Sequence, residues 1–260
     1  MISSLHLKML RDLWAMKGQA LAIAVVMAGG VATFVMSRTV LEALLLTQAT
    51  FYRDYQFADV FVSLKRAPNS MGARLAEIPG VQTVETRVIA AANVEVEGFG
   101  RPASAEIVSV PDHGRPLLNQ LYMKRGRMVD STKDNEAVIS EAFALAHKLG
   151  PGDHVIATIN GRKRRLDIVG VAVTPEYIYQ VQPGALIPDF SAFGIFWMAR
   201  RPLEAAFDMD GAFNNAVIRT GKGANEEDVI DAVDNLLRRY GSLGAYGRKD
   251  QTSHRYLSEE

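Results

Sequence analysis

Five histidines, two closely spaced glutamates, one glycine-rich hexapeptide and one run of four cations are the residues of this chain whose types could do chemistry. His6, His113, His147, His154 and His254 are scattered, with no pair at helical or strand spacing. A zinc site needs ligands brought together in that way, so each is expected as a surface or loop histidine. Glu95 and Glu97 would share one face of a strand, the usual sign of a solvated face rather than an acid–base pair. "GFGRPA" at residues 98–103 superficially fits a dinucleotide loop, but Pro102 and the alternating residues around it make a hairpin tip instead of a strand entering a helix. Neither a Gly-x-x-x-x-Gly-Lys-Ser/Thr string nor a Gly-x-Ser-x-Gly elbow occurs. The run "RKRR" at residues 162–165 would bind phosphate or lipid headgroups if its charges converged. On a hairpin, successive side chains point to opposite faces, which favours a solvated arm; its other use is as a contact surface for an acidic partner. The expectation is no catalytic residue, no cofactor-binding residue and no metal ligand, hence no enzyme.

The whole chain narrows the classes further. Its 260 residues could make one large domain or two small ones, and Lys+Arg 29 against Asp+Glu 29 leaves no net charge to attract nucleic acid. The 48% hydrophobic content is that of a folded protein, and without cysteine there is no disulfide framework or thiolate site.

One stretch reads as membrane: "KGQALAIAVVMAGGVATFVMSR". Residues 20–36 carry no charge, and as a helix they span roughly 25 Å, near the lower limit for a hydrocarbon core. Lys8, Arg11 and Lys17 precede the span against a single Asp12, so the amino terminus is expected to stay cytoplasmic and the rest to lie outside. A cleaved signal peptide is the competing reading, with Val26, Met27 and Ala28 as a small-residue site. Against it, Leu5, Met9, Leu13 and Met16 recur at helical spacing beside Trp14, as in an amphipathic helix over residues 1–19 lying on the inner membrane surface. Within the span, Ala20, Ala24, Ala28 and Ala32 fall at every fourth position beside Gly29 and Gly30, a stripe that lets helix backbones approach closely in lipid. The plain alternative is that alanine is common in membrane helices. Past the span, Val40, Leu41, Leu44, Leu45, Gln48, Phe51, Tyr52 and Tyr55 line one broad face without Pro or Gly, so helix is expected to continue as a stalk over residues 37–56. A separate amphipathic helix folded back on the body is the other reading.

From residue 57 the pattern becomes that of a mixed α+β body in two subdomains, over residues 57–260. "ADVFVSL" predicts a strand, and "NSMGARLAEIPGV" a short helix stopped at Pro79-Gly80. Residues 81–110 predict two strands turning at residues 98–101, followed by a charged, turn-rich break. "EAVISEAFALAHKLGPGDHVIATINGRKRRLDIVGVAV" then predicts a strand, a helix over residues 142–148, a Pro-Gly-Asp turn and a hairpin at Asn160-Gly161. "GIFWMA" and "NNAVIRT" predict strands around a short helix at residues 203–207, and "NEEDVIDAVDNLLRRYG" an amphipathic helix with Val229, Ile230, Val233, Leu236 and Leu237 inward.

The cytoplasmic helix, span and stalk, followed by "IPGVQTVETR", the long central string and "NNAVIRTGKGANEEDVIDAVDNLLRRYG", resemble the MacB and FtsX family of ABC-transporter permeases. The central string is the most specific part: a strand, a Ser-Glu-x-x-Ala helix, an x-x-Gly-x-Gly-Asp turn and a hairpin ending in Ile168-Val169-Gly170-Val171. The resemblance implies an inner-membrane permease subunit without a cofactor of its own, ATP being bound by a partner ATPase subunit. It also implies a second permease copy or paralogue, membrane lipids and a periplasmic adaptor as partners, with no nucleic acid. Motion driven in the cytoplasm would pass along the first helix to an outer domain that handles export or extraction of a substrate. Family permeases carry further spans, so the chain is expected to be an amino-terminal portion of a longer permease. The rival expectation is a singly anchored extracytoplasmic sensor, chaperone or assembly module without an ATPase.

Overall fold

The computed structural model describes residues 6, 8, 9, 11, 14, 16–185 and 187–259. Much of the amphipathic stretch over residues 1–19, including Leu5 and Leu13, lies outside them. The first element, α1 (Lys17–Asp54), is one unbroken helix of 38 residues, about 57 Å at 1.5 Å per residue. Its apolar part has no preferred face: Leu21, Ile23, Val25, Val26, Met27, Val31, Phe34 and Val35 are all exposed. A helix apolar all round needs lipid or other helices about it. Thr33, the hydroxyl within this part, donates to the Gly29 carbonyl at 2.9 Å, which satisfies it without water. The helix is long and apolar enough to cross a membrane.

The chain divides into two compact units, residues 1–51 and 52–260, so the last turn of α1 belongs to the second. That unit is α+β and holds two sheets. Strands β1 (Val60–Pro68), β2 (Val81–Arg87), β10 (Ala212–Thr220) and β11 (Ala245–Gly247) form a four-stranded sheet in the order β11-β1-β10-β2, antiparallel throughout. Helix α2 (Ser70–Ala76) joins β1 to β2, and α5 (Glu226–Leu237) joins β10 to β11. Each connection skips one strand, giving two interleaved split βαβ units. Met71, Leu75, Val229, Val233 and Leu237 from the helices cover Val60, Val62, Leu64, Ala216 and Ile218 of the sheet. The Asn225 side chain caps α5 by accepting from the Glu227 amide, and three acidic residues occupy its first turn, where the helix dipole favours them.

Everything between β2 and β10 builds the second sheet, of β3 (Ile89–Glu95), β4 (Ala103–Val110), β5 (Tyr122–Gly126), β6 (Glu136–Ser140), β7 (His154–Ile159), β8 (Arg162–Val173) and β9 (Phe193–Ala199), ordered β5-β8-β6-β9-β4-β3-β7. The long β8 pairs with β7 through its first half and with β5 and β6 through its second. The strands β8, β6, β9, β4, β3 and β7 therefore close on themselves as a barrel, which removes most of the free strand edge. Ala92, Val94, Ala105, Ile107, Ile139, Ala157, Leu166 and Phe196 belong to its core, with the alternation such a barrel demands. Phe143 of α3 (Glu141–His147) is fully buried in that core, and Gly194 makes room for it: a Cβ there would sit 2.5 Å from the Phe143 ring. Asn160-Gly161 turns β7 into β8 with φ of 47° and 74°, the left-handed pair a tight hairpin requires.

Three features depart from the sequence expectation. Residues 81–110 hold three strands, not two, because the chain leaves one sheet after Arg87 and enters the other at Ile89, with Val88 fully buried at the crossing. The turn-rich break contains β5, which is largely exposed and so lacks an alternating pattern. Helix α6 (Thr252–Glu259), which follows β11, and a 3-10 turn at Pro175–Tyr177 carried no periodic signal. The helix α4 (Arg200–Ala206) follows β9.

Candidate functional site

Ala20, Ala24, Ala28 and Ala32 all lie on α1, and Ala24, Ala28 and Ala32 are exposed. At 3.6 residues per turn, each step of four advances about 40° around the axis, so the four alanines wind through about 120°. Such a stripe fits a partner helix crossing at an angle better than one running parallel. Among the described residues, a Cβ at Gly29 or Gly30 would meet nothing within 4 Å.

The last turn of α1 is tied into the second unit by Tyr52. Its hydroxyl lies 3.1 Å from Nδ1 of His254 on α6, and its ring packs on Phe57 at 4.6 Å between centroids. Burial, then the Arg248 charge, lowers the His254 pKa, so the imidazole is neutral at neutral pH. Arg248 stands over the Tyr52 and Phe57 rings, bonds the Phe57 and Ala58 carbonyls and pairs with Asp59.

Deeper, the face of the four-stranded sheet opposite its helices carries a buried polar hub. Arg87 donates from both terminal nitrogens to Glu176 at 2.6 and 2.8 Å, and also to Asn215 Oδ1. Asn119 donates to Glu176 at 2.6 Å while accepting from the Ala58 amide, and Gln251 at the start of α6 donates to the Glu176 carbonyl. Strand β2, the Pro175–Tyr177 turn, the chain after α1 and the entry to α6 thus meet at one ion pair. Burial alone would loosen the Arg87 proton, but the charge and hydrogen bonds of Glu176 outweigh it and push the pKa up. Removing one partner of a pair this buried strands the other, a loss of about 3–5 kcal/mol. Nearby, Tyr177 donates to Glu106 at 2.6 Å, and burial raises both the Glu106 and the Glu85 carboxyls.

The remaining sequence candidates stay apart. His113 and His154 are exposed, but His147 is not a loose surface residue: its Nε2 meets the Ser191 carbonyl at 2.9 Å and its ring packs on Phe99 and Phe143. Together with His254 it corrects the expectation for the histidines, since a ring with one apolar face fills a boundary that sequence spacing cannot reveal. Glu95 is exposed and pairs with Lys163 at 2.6 Å, and Arg165 pairs with Asp167, so two of the four cations in the run are each matched by a carboxylate. Residues 98–101 form the turn between β3 and β4. Among the described residues, no three His, Asp or Glu side chains group as a metal site. Sequence reasoning missed Arg87, Asn119 and Glu176: one polar residue ends a strand and the others sit in loops, where nothing signals burial.

No family model and no curated protein matches the chain. Among solved structures, it is similar to the periplasmic region of MacB from Actinobacillus actinomycetemcomitans, at 12% identity, with 80% of this chain and 94% of that chain covered and a TM-score of 0.46. It is also similar to the extracellular domain of the noncanonic ABC-type transporter YknZ from Gram-positive bacteria, at 11% identity, 73% and 98% coverage and a TM-score of 0.45. The likeness brings no residue role with it.

Proposed function

We propose that the chain is a permease subunit of a MacB/FtsX-type ABC transporter, in which α1 carries motion from a separate ATPase to an extracytoplasmic body. The observation that supports this best is α1 itself. It runs 38 residues without a break, and its last turn already belongs to the folded body. After Gly30 it contains neither glycine nor proline, so the 18 residues beyond the apolar span, roughly 27 Å, offer no ready hinge. A simple tether has no need of that stiffness. The partners are an ATPase that holds the nucleotide, a second permease copy or paralogue, lipids around the span and a periplasmic adaptor; this chain needs no cofactor of its own. Ala20, Ala24, Ala28 and Ala32 supply the face on which neighbouring membrane helices pack.

The test is Ala24→Leu with Ala28→Leu in the full-length protein together with its ATPase. Leucine is the more apolar residue, so insertion should persist. Close backbone approach is blocked, and substrate-coupled ATP turnover should fall at least several-fold. Turnover at the wild-type level would overturn the packing role and leave α1 as an anchor.

A further inference from the structure

We infer that the second unit holds a binding site for a small organic cation, seated on Glu106 in the cavity between the polar face of the four-stranded sheet, the Pro175–Tyr177 turn and α6. The cavity measures about 340 Å³, within the range of small-molecule sites. Glu106, Tyr177, Phe193, Asn215, Tyr246 and Ser253 are among its lining residues. Tyr246, 39% exposed, stands with the exposed Pro183 and Thr252 where the cavity meets solvent.

The charge balance of this region selects a cation. Arg87 faces three carboxylates, Glu85, Glu106 and Glu176, and its guanidinium is committed to Glu176 and Asn215. Among the described residues Glu106 forms no ion pair; the Tyr177 hydroxyl occupies Oε1 and leaves Oε2 open. A carboxylate without an ion-pair partner beside aromatic rings is the arrangement that recognises an ammonium group, through charge and through the aromatic side chains of Tyr177, Tyr246 and Phe193 that line the cavity. An anion would be repelled, and a neutral molecule would leave Glu106 uncompensated. The same carboxylate borders a second, open cavity on the barrel side, next to Gln182 and Pro183, so it can be reached from both. Burial makes Glu106 hold its proton more tightly than usual, against the Tyr177 hydrogen bond, with Glu176 raising and Arg87 lowering that hold; Tyr177 and Tyr246, themselves pushed up, stay neutral. A bound cation favours the ionised carboxylate and so opposes that hold.

The experiment is calorimetric titration of the full chain in neutral-lipid nanodiscs with phenethylammonium and with phenethyl alcohol, its neutral counterpart in shape. The cation should bind saturably, the alcohol at least tenfold more weakly. Below the Glu106 pKa, cation affinity should fall about tenfold for each pH unit, since a proton must be displaced. Glu106→Gln retains an acceptor for Tyr177 and should cost at least tenfold in affinity; Tyr246→Ala, at the mouth, should weaken the cation several-fold and reports on the same site if the glutamine variant does not fold. Equal binding of cation and alcohol, or no saturable binding, overturns the proposal, as does wild-type affinity in the folded Glu106→Gln variant. No ATPase enters this assay, so its failure leaves the lever reading untouched.

Discussion

Glu136 and Glu106 are the same residue type with pKa values moved in opposite directions by their surroundings. Glu136, at the start of β6 and 4% exposed, accepts two hydrogen bonds from Arg127 at 2.5 and 2.6 Å, one from Lys133 and one from the Asp130 amide. The Arg127 bonds, against the opposing effect of burial, lower its pKa from 4.5 to about 2. A carboxylate depressed in the folded state stabilises above its unfolded value, and that contribution is lost as pH falls from about 4.5 toward 2. Arg127 is half exposed, so solvent screening trims the contribution to about 2 kcal/mol. Glu136→Gln should therefore lower the unfolding free energy by about that amount at pH 7, with the gap to wild type closing near pH 2; a denaturant series across pH measures it. A gap that stays constant with pH would mean that shape rather than charge is at stake. None of this is visible in "KDNEAVIS", where Glu136 looks like any surface glutamate before a strand. Arg127 is nine positions away and comes close only because β5 and β6 both pair with β8.

Among the elements, α1 and the β7–β8 hairpin were the most legible, because each is specified by neighbours in sequence. An uncharged apolar run and an Asn-Gly turn need no distant partner to be recognised. Strands β2 and β3 were not separable in sequence, since both are β-rich and what divides them is the buried crossing at Val88. If α1 works as a lever, its stiffness beyond the span is testable alone. Leu45→Pro removes a backbone hydrogen bond and kinks the helix at a cost of roughly 3 kcal/mol. Leu45 is exposed and lies outside the second unit, so the melting temperature of the body should hold while coupled ATP turnover falls sharply. A tether would tolerate the kink, and unchanged turnover would refute the lever.

At the scale of the molecule, the distribution of Lys8, Arg11 and Lys17 ahead of the span predicts an amino terminus in the cytoplasm and a body on the outer side. A periplasmically active phosphatase fused after Glu260 should be active in intact cells, and a fluorescent protein that folds only in the cytoplasm should stay dark there. The reverse result would invert the orientation and remove the extracytoplasmic role.

The amino-acid sequence alone determined which segment is apolar enough for lipid, where helix gives way to strand, and that the body mixes α and β. Those properties follow from composition and short-range periodicity, which act over one or two turns. Only the tertiary structure decided that β3, β4, β6, β7, β8 and β9 close as a barrel inserted within a four-stranded sheet, because closure depends on β8 pairing with β7 at one end and with β6 at the other. It alone also placed Arg87, Asn119 and Glu176 in one buried hub and left Glu106 beside it with no ion pair among the described residues. A buried charge is set by what surrounds it in space, and residues 87 and 176, far apart in sequence, are neighbours only in the tertiary structure.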